Sequence, residues 1–409
     1  ALLLSGNALM FYALSGAIFA LVFLMLAALF LYVRWQNAIA LSVSLALTTL
    51  ILALAFQVLI TSEAIYYRPH EMFSHPDGRY EKNVQFEMAM PHGDLKALAL
   101  YTEVPIEPRE VVFETDSLGY RNTNDYHDQK YLLVGDSFIV GNGTSQQNII
   151  TEQLFNRHGI DTYNLAYPGG MKDYANYVKS FRQQAGSNAR VILFLFEGND
   201  FPVNAEGDPD VSEETSGRGN PVVAALKAYR RLIRSTDMYR FIYSSTRRIY
   251  TVNIKKQKET VELSNIAGIP VAFYKPYIND TERDVLPENA QTEKYVSALK
   301  GEIAHIFFIP TKHRVYYRHR SGEKPQSGQI LPDRQWQFVR LLGEKFDIPT
   351  TNLTPALIAG SDSLLEEGVL TYWRDDTHWN KHGIAIAADR IMQELTSSHL
   401  TERNGNNNH

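Results

Sequence analysis

Six apolar residues in a row, Val191-Ile192-Leu193-Phe194-Leu195-Phe196, end abruptly in Glu197-Gly198-Asn199-Asp200. A strand with no polar face must be covered on both sides, as in a parallel sheet wrapped in helices. The run is short and bounded by turn formers, which favours a strand over a helix. The same form recurs along the chain. Tyr131 to Val134 stops at Gly135-Asp136-Ser137, and Asp161 to Ala166 stops at Tyr167-Pro168-Gly169-Gly170. Ile303 to Pro310 leads into Thr311-Lys312, and Ile348 to Leu353 is a shorter version. Between them, Gln146 to Arg157, Asp173 to Gln184 and Arg334 to Phe346 have helical spacing, and Ile384 to Thr396 reads as a terminal helix. The alternation predicts an α/β fold: a three-layer, doubly wound, mostly parallel sheet with its site at the carboxyl ends of the strands.

The other segments read differently. No charged residue precedes Arg34, and Met10 to Val33 is long and apolar enough to cross a bilayer. Arg34-Trp35-Gln36-Asn37 separates it from a second uncharged span, Ala38 to Ile60. Together they predict a two-helix transmembrane hairpin over residues 1–62, with the arginine-bearing loop cytoplasmic and the rest outside, in the periplasm of a bacterial inner-membrane protein. The chain opens on Ala1 rather than methionine, so preceding residues are expected. Residues 63–129 read as a polar lead-in, with a strand at Val111-Val112-Phe113 and a turn at Thr115 to Arg121. Residues 130–400 form the α/β domain. Within it, residues 201–300 break the rhythm and read as an insertion over the site, with an extra strand at Val271 to Tyr274. The Ser/Asp/Glu/Gly stretch after Leu353 reads as a loop, and residues 401–409 as a frayed tail.

Composition narrows the chemistry. There is no cysteine, which excludes disulfides, thiolate metal sites and a cysteine nucleophile. The 12 histidines show no metal-ligand spacing, and a net charge of −5 without a basic, aromatic-interleaved run excludes a nucleic-acid partner. Neither glycine fingerprint of the nucleotide-binding folds is present. What remains at the strand ends is Ser137, Gly169 with Gly170, Asn199, and Asp375, Asp376 and His378 within Tyr372 to Gly383. Ester chemistry needs that set. A serine hydroxyl requires an adjacent base, the base requires a carboxylate, and the tetrahedral intermediate requires fixed donors. No cofactor or metal is called for. His382, next to the cluster, reads as a helix-start residue.

The wording of these blocks resembles the SGNH, or GDSL-type, hydrolase superfamily, whose domain has a flavodoxin-like sheet. Gly135-Asp136-Ser137 matches its first block, and Asn164 with Gly169 its second. Glu197-Gly198-Asn199-Asp200 matches the third with the glycine shifted by one, and Asp375, His378, Asn380 and Gly383 the last. The resemblance implies Ser137 as nucleophile, His378 as base, and Ser137, Gly169 and Asn199 as the oxyanion hole. It leaves the acid open. Asp375 fits the usual Asp-x-x-His spacing, whereas Asp376 fits the Asp-Thr-His-Trp wording of proteins similar to those of alginate O-acetylation. Pro310-Thr311-Lys312 is similar to that periplasmic branch as well, from which this chain departs in having serine first and histidine last. The expected activity is that of a membrane-anchored serine esterase acting on an acylated envelope glycan or lipid. The alternatives are an O-acyltransferase with the same acyl-enzyme, and a structural subunit that packs its hairpin against an integral membrane partner.

Overall fold

The structure, a computed structural model, describes residues 66–75, 78–201, 258–287, 290–320 and 330–405, with a few helical positions within 44–51. The expected membrane hairpin and most of the expected insertion lie outside the described residues. Among the described residues, no helix is long and apolar enough to cross a membrane. The chain divides into two compact units. One takes Ala1–Tyr67 with Ser212–Lys258; the other, Arg68–Val211 with Glu259–His409, carries the sheet and the site.

In chain order the second unit begins with helix α1 (Pro69–Met72), strand β1 (Gln85–Met90), helix α2 (Asp94–Leu98) and strand β2 (Arg109–Glu114). Strand β3 (Tyr131–Val134) and the single turn α3 (Ser137–Val140) follow, then α4 (Ile150–His158), β4 (Thr162–Asn164), α5 (Met171–Ala185) and β5 (Arg190–Phe196). After the undescribed stretch come β6 (Val261–Ile266), β7 (Ile269–Tyr274), α6 (Lys275–Thr281), α7 (Ala290–Leu299) and β8 (Ile303–Ile309). The chain closes with α8 (Lys312–Tyr316), α9 (Arg334–Phe346), β9 (Thr350–Asn352), α10 (Thr354–Leu365) and α11 (Lys381–Gly405).

The central sheet is five-stranded in the order β4-β3-β5-β8-β9, and every pairing in it is parallel. Side chains alternate between its faces. Leu133, Ile192 and Phe194 meet Leu154 of α4, Leu357 of α10 and Ile384 and Ile391 of α11. Leu132, Val134, Val191, Leu193 and Leu195 meet Tyr174 and Val178 of α5, Val296 of α7 and Val339 of α9. The sheet is therefore covered on both faces, as the unbroken apolar run requires. The strand order reverses direction between β3 and β5. Crevices at such switch points, outside the carboxyl ends, are where open α/β sheets hold ligands.

Two antiparallel ribbons flank this sheet: β1 with β2 from the lead-in, and β6 with β7. The expected strand at Val271 to Tyr274 is half of the second. Its partner β6 carries little signal in the sequence because the turn is Ala267-Gly268 rather than a standard Asn-Gly pair. Both residues are left-handed, at φ 50° and 85°, as a two-residue hairpin needs. The expected loop after Leu353 is instead helix α10. Pro355 lies in its first turn, where a missing N–H costs nothing, and Leu357 and Leu365 are buried. Ser361, which reads as a loop residue, is fully buried and bonded to the Thr371 hydroxyl at 2.5 Å. The expected helix over Gln146 to Arg157 is broken at Ile149 into a short 3-10 turn, Gln146–Asn148, and α4.

Candidate active site

Strand β3 delivers the serine. A Cβ on Gly135 would lie 2.8 Å from Ile139 Cγ1 and 3.1 Å from Phe194 Cβ, so the chain can leave the strand this tightly only through glycine. Asp136 caps the turn that follows, its Oδ1 accepting the Phe138 N–H at 2.9 Å. Ser137 is thus the first residue of α3. The far end of the turn is held by Arg121, a fully buried side chain. Its Nη1 donates to the carbonyls of Val140 at 3.1 Å and Gly141 at 2.7 Å, and its Nη2 to that of Thr144 at 2.6 Å. Burial lowers its pKa to about 10.

The histidine arrives on a loop closed by the bridge between Tyr372 and Trp379. His378 Nε2 is 2.7 Å from Ser137 Oγ, and Nδ1 is 2.6 Å from Asp376 Oδ1. The Phe138 ring packs on the imidazole with centroids 4.8 Å apart. Asp376, not Asp375, completes this hydrogen-bonded row. Asp375 Oδ2 accepts the backbone N–H groups of Gly93 at 2.8 Å and Glu107 at 2.9 Å, and Oδ1 takes Arg109 Nη1 at 3.0 Å. Asn380 caps α11, receiving the N–H of His382 at 2.9 Å. His382 accordingly sits in the first turn of that helix.

Burial alone would drive the His378 pKa down, but the Asp376 charge and hydrogen bond, with the charges of Asp94 and Asp136 behind, carry it above its ordinary value. Burial alone would raise Asp376. The charge and hydrogen bond of His378, and then Arg109, hold it well below the carboxylate range instead. An anionic acid beside a basic imidazole is the polarity needed to draw a proton from Ser137.

The other two expected donors follow the strands that adjoin β3, Gly169 in the loop after β4 and Asn199 just past β5. Asn199 is exposed, and its Nδ2 donates to Asp136 Oδ2 at 3.3 Å. Asn164 has a different use. Fully buried, it donates to the Ile139 carbonyl at 2.9 Å and accepts the Ala166 N–H at 3.0 Å, which fixes the base of the Gly169 loop.

Sequence reading missed the lead-in's contribution. Arg109 spans the site. Nε donates to the Gly143 carbonyl in the serine segment at 3.0 Å, while Nη1 and Nη2 take Asp375 and Asp376 at 3.0 Å each. Its guanidinium also lies over the Trp373 ring at 4.3 Å. Gly93 brings backbone against the acid loop so closely that a Cβ there would be 2.4 Å from the Asp375 carbonyl oxygen. The neighbouring Asp94 binds Thr377 through both carboxylate oxygens, at 2.8 Å to N–H and 2.5 Å to the hydroxyl. From the opposite side, buried Lys312 donates to the carbonyls of Asp376 at 2.7 Å and Trp373 at 3.1 Å. Burial lowers its pKa to about 8 despite the surrounding carboxylates. Nothing in the composition of the lead-in separates Arg109 or Asp94 from its other charges. Asp94, Asp376 and His378 present ligand atoms within 4.8 Å of one another, the one such group among the described residues. Those atoms are already bonded to Thr377, Arg109 and each other, which leaves little for a metal ion.

A switch-point serine in a row with a histidine and an aspartate, at the carboxyl ends of a five-stranded parallel sheet, is the arrangement of a serine hydrolase site on an open α/β sheet. Residues 291–408 match the family described as SGNH hydrolase-like domain, acetyltransferase AlgX. The match supports the SGNH hydrolase superfamily and a relation to O-acetylation proteins. The matched span contains Asp376 and His378, while Ser137, Gly169 and Asn199 precede it. No curated protein matches the chain.

Proposed function

We propose that this protein is a serine-dependent acyl-ester enzyme working through an acyl-enzyme on an acylated glycan or lipid of the cell envelope. The observation that carries it is the unbroken row Ser137 Oγ, His378 Nε2, His378 Nδ1, Asp376 Oδ1, with links of 2.7 and 2.6 Å. Ser137 Oγ attacks the ester carbonyl as its proton passes to Nε2. The Nδ1 proton stays on the ring, hydrogen-bonded to Asp376, which stabilises the imidazolium. The N–H groups of Ser137 and Gly169 and the Asn199 amide face the developing oxyanion. His378 returns the proton to the departing alcohol, leaving Ser137 acylated.

Water or a sugar hydroxyl can then release the acyl group. Transfer to a sugar is a specific second reading, because the family matched by residues 291–408 is described by an acetyltransferase. The two uncharged spans before Arg68 support work at a membrane surface, beside an integral partner that supplies acyl groups.

The test is labelling of the full chain with a fluorophosphonate, alongside Ser137→Ala. Labelling of wild type that is lost in the variant is expected, as is a fall of about 10³-fold or more in 4-nitrophenyl acetate turnover. Added acceptor sugars that divert the acyl group from water would select transfer. A folded wild-type chain that neither labels nor turns over would refute the proposal and leave the structural-subunit reading.

A further inference from the structure

Asp94 touches the row of hydrogen bonds without being part of it. Its Oδ2 lies 3.7 Å from His378 Nδ1, too far for a hydrogen bond and close enough for a strong charge interaction. The Nδ1 proton is already committed to Asp376 Oδ1 at 2.6 Å. Asp94 also holds the neighbouring Thr377, whose hydroxyl donates to it at 2.5 Å and sits 3.3 Å from Nδ1. The backbone N–H of Asp94 meanwhile donates to Asp376 Oδ2 at 3.1 Å.

Two buried carboxylates on one side of an imidazole repel each other, so the arrangement needs compensation. Besides Asp376 itself, Asp94 faces His378 in the acid loop, Lys312 at the start of α8, Arg68 ahead of α1 and the Tyr277 hydroxyl on α6, and the cations among them supply it. Arg109 neutralises Asp376 from behind. With those cations in place, a protonated His378 gains from both carboxylates, as Lys312 does.

We propose that Asp94 is a second carboxylate for His378, a positioning residue that holds the loop at Thr377 through its N–H and hydroxyl and whose charge, 3.7 Å from Nδ1, stabilises the imidazolium formed when Ser137 attacks. The inference deepens the serine reading and rests on it. Protons balance without a new acceptor. The Ser137 proton moves to Nε2, the Nδ1 proton remains with Asp376, and Asp94 stays anionic throughout. Burial, and then the Asp376 charge, raise the Asp94 pKa to about 6. Above that pH it is charged, and so it is already anionic in the higher range where His378, raised above its ordinary 6.5, becomes neutral and able to act as base. Removing the charge weakens the imidazolium. The acid limb of the rate profile therefore moves to lower pH while the plateau falls.

The experiment follows the His378 ring by NMR in the full chain, with nitrogen-labelled histidine, for wild type, Asp94→Asn and Asp94→Glu, beside the pH dependence of kcat/KM on 4-nitrophenyl acetate. In Asp94→Asn the His378 midpoint and the acid limb are expected about one unit lower, with kcat down about tenfold and KM little changed. Asp94→Glu keeps a charge and is expected to restore most of the midpoint. An unmoved midpoint in folded Asp94→Asn overturns the proposal, whatever happens to the rate, since a purely structural role would lower activity without shifting the titration. If Asp94→Asn does not fold, Thr377→Val decides. Without the hydroxyl, Asp94 protonates at higher pH, so the His378 midpoint should again fall, and an unmoved one is equally fatal. The NMR reading requires no turnover, so an inactive chain still answers this question separately from that of the nucleophile.

Discussion

Asp375 and Asp376 are chain neighbours that serve different partners. Asp376 faces the imidazole, whereas Asp375 gathers two backbone N–H groups and one arm of Arg109. Asp376→Asn removes the charge that holds the His378 tautomer, with an expected loss of up to about 10⁴-fold in kcat. Asp375→Asn leaves the row intact but weakens the clamp on the loop. It should cost about tenfold or less in kcat and show mainly as a lower Tm. Kinetics of both variants, with calorimetry, check this; equal losses in kcat would undo the distinction. The sequence alone could not make it, because Asp375 and Asp376 each stand at a spacing before His378 that the resemblance allows. What decides is the backbone of Gly93 and Glu107, which arrives from more than 260 positions away and claims Asp375. The contact of Ser137 with His378 was legible because each sits at a local turn past a strand or before a helix. Arg109 and Asp94 were not, since their partners are non-local.

At the scale of elements, the β6–β7 hairpin is the lead-in's counterpart on the acid loop. The N–H of Ala272 in β7 donates to the Arg374 carbonyl at 2.8 Å, and Val261 and Ala272 pack on Leu95 and Val104 of the lead-in. Glu259 joins the two segments, its carboxylate receiving the N–H groups of Tyr101 at 2.6 Å, Thr102 at 2.8 Å and Val261 at 3.0 Å. Desolvation opposes its charge, but these bonds prevail and lower its pKa to about 2. A depressed carboxyl pKa contributes stability that is present above the unfolded value, about 4.5, and is lost as pH falls toward 2. Glu259→Gln is accordingly expected to lower Tm by a few degrees at pH 7, with the difference from wild type shrinking as pH drops below about 4. A difference independent of pH, in thermal melts across that range, would mean the charge is not what matters. The hairpin was half legible. β7 is apolar enough to read as a strand, while β6 (VELSNI) is mixed and its Ala-Gly turn carries little signal.

For the whole molecule, the parallel sheet and the auxiliary ribbons differ in how they are held. β5 has a partner on each side, β3 and β8, and is covered above and below by two separate apolar clusters. The β1–β2 and β6–β7 ribbons are two-stranded, with alternating exposed positions. That contrast was legible in the sequence as unbroken apolar runs against mixed ones, although the strand order was not, since either neighbour of β3 satisfies the same pattern. Opening free energy follows burial and shared pairing, so native-state hydrogen exchange should be slowest in β5 and β8 and faster in both ribbons. The ribbons nevertheless carry the grip on the Asp375 to His378 loop, through Arg109 at the start of β2 and the Ala272 N–H of β7. Opening of a ribbon should therefore disorder the catalytic row before the sheet yields. On heating, fluorophosphonate labelling of Ser137 is expected to fail at a temperature below the far-UV transition, with β5 amides still protected. Loss of labelling and of β5 protection at one temperature would show instead that sheet and ribbons open as a single unit.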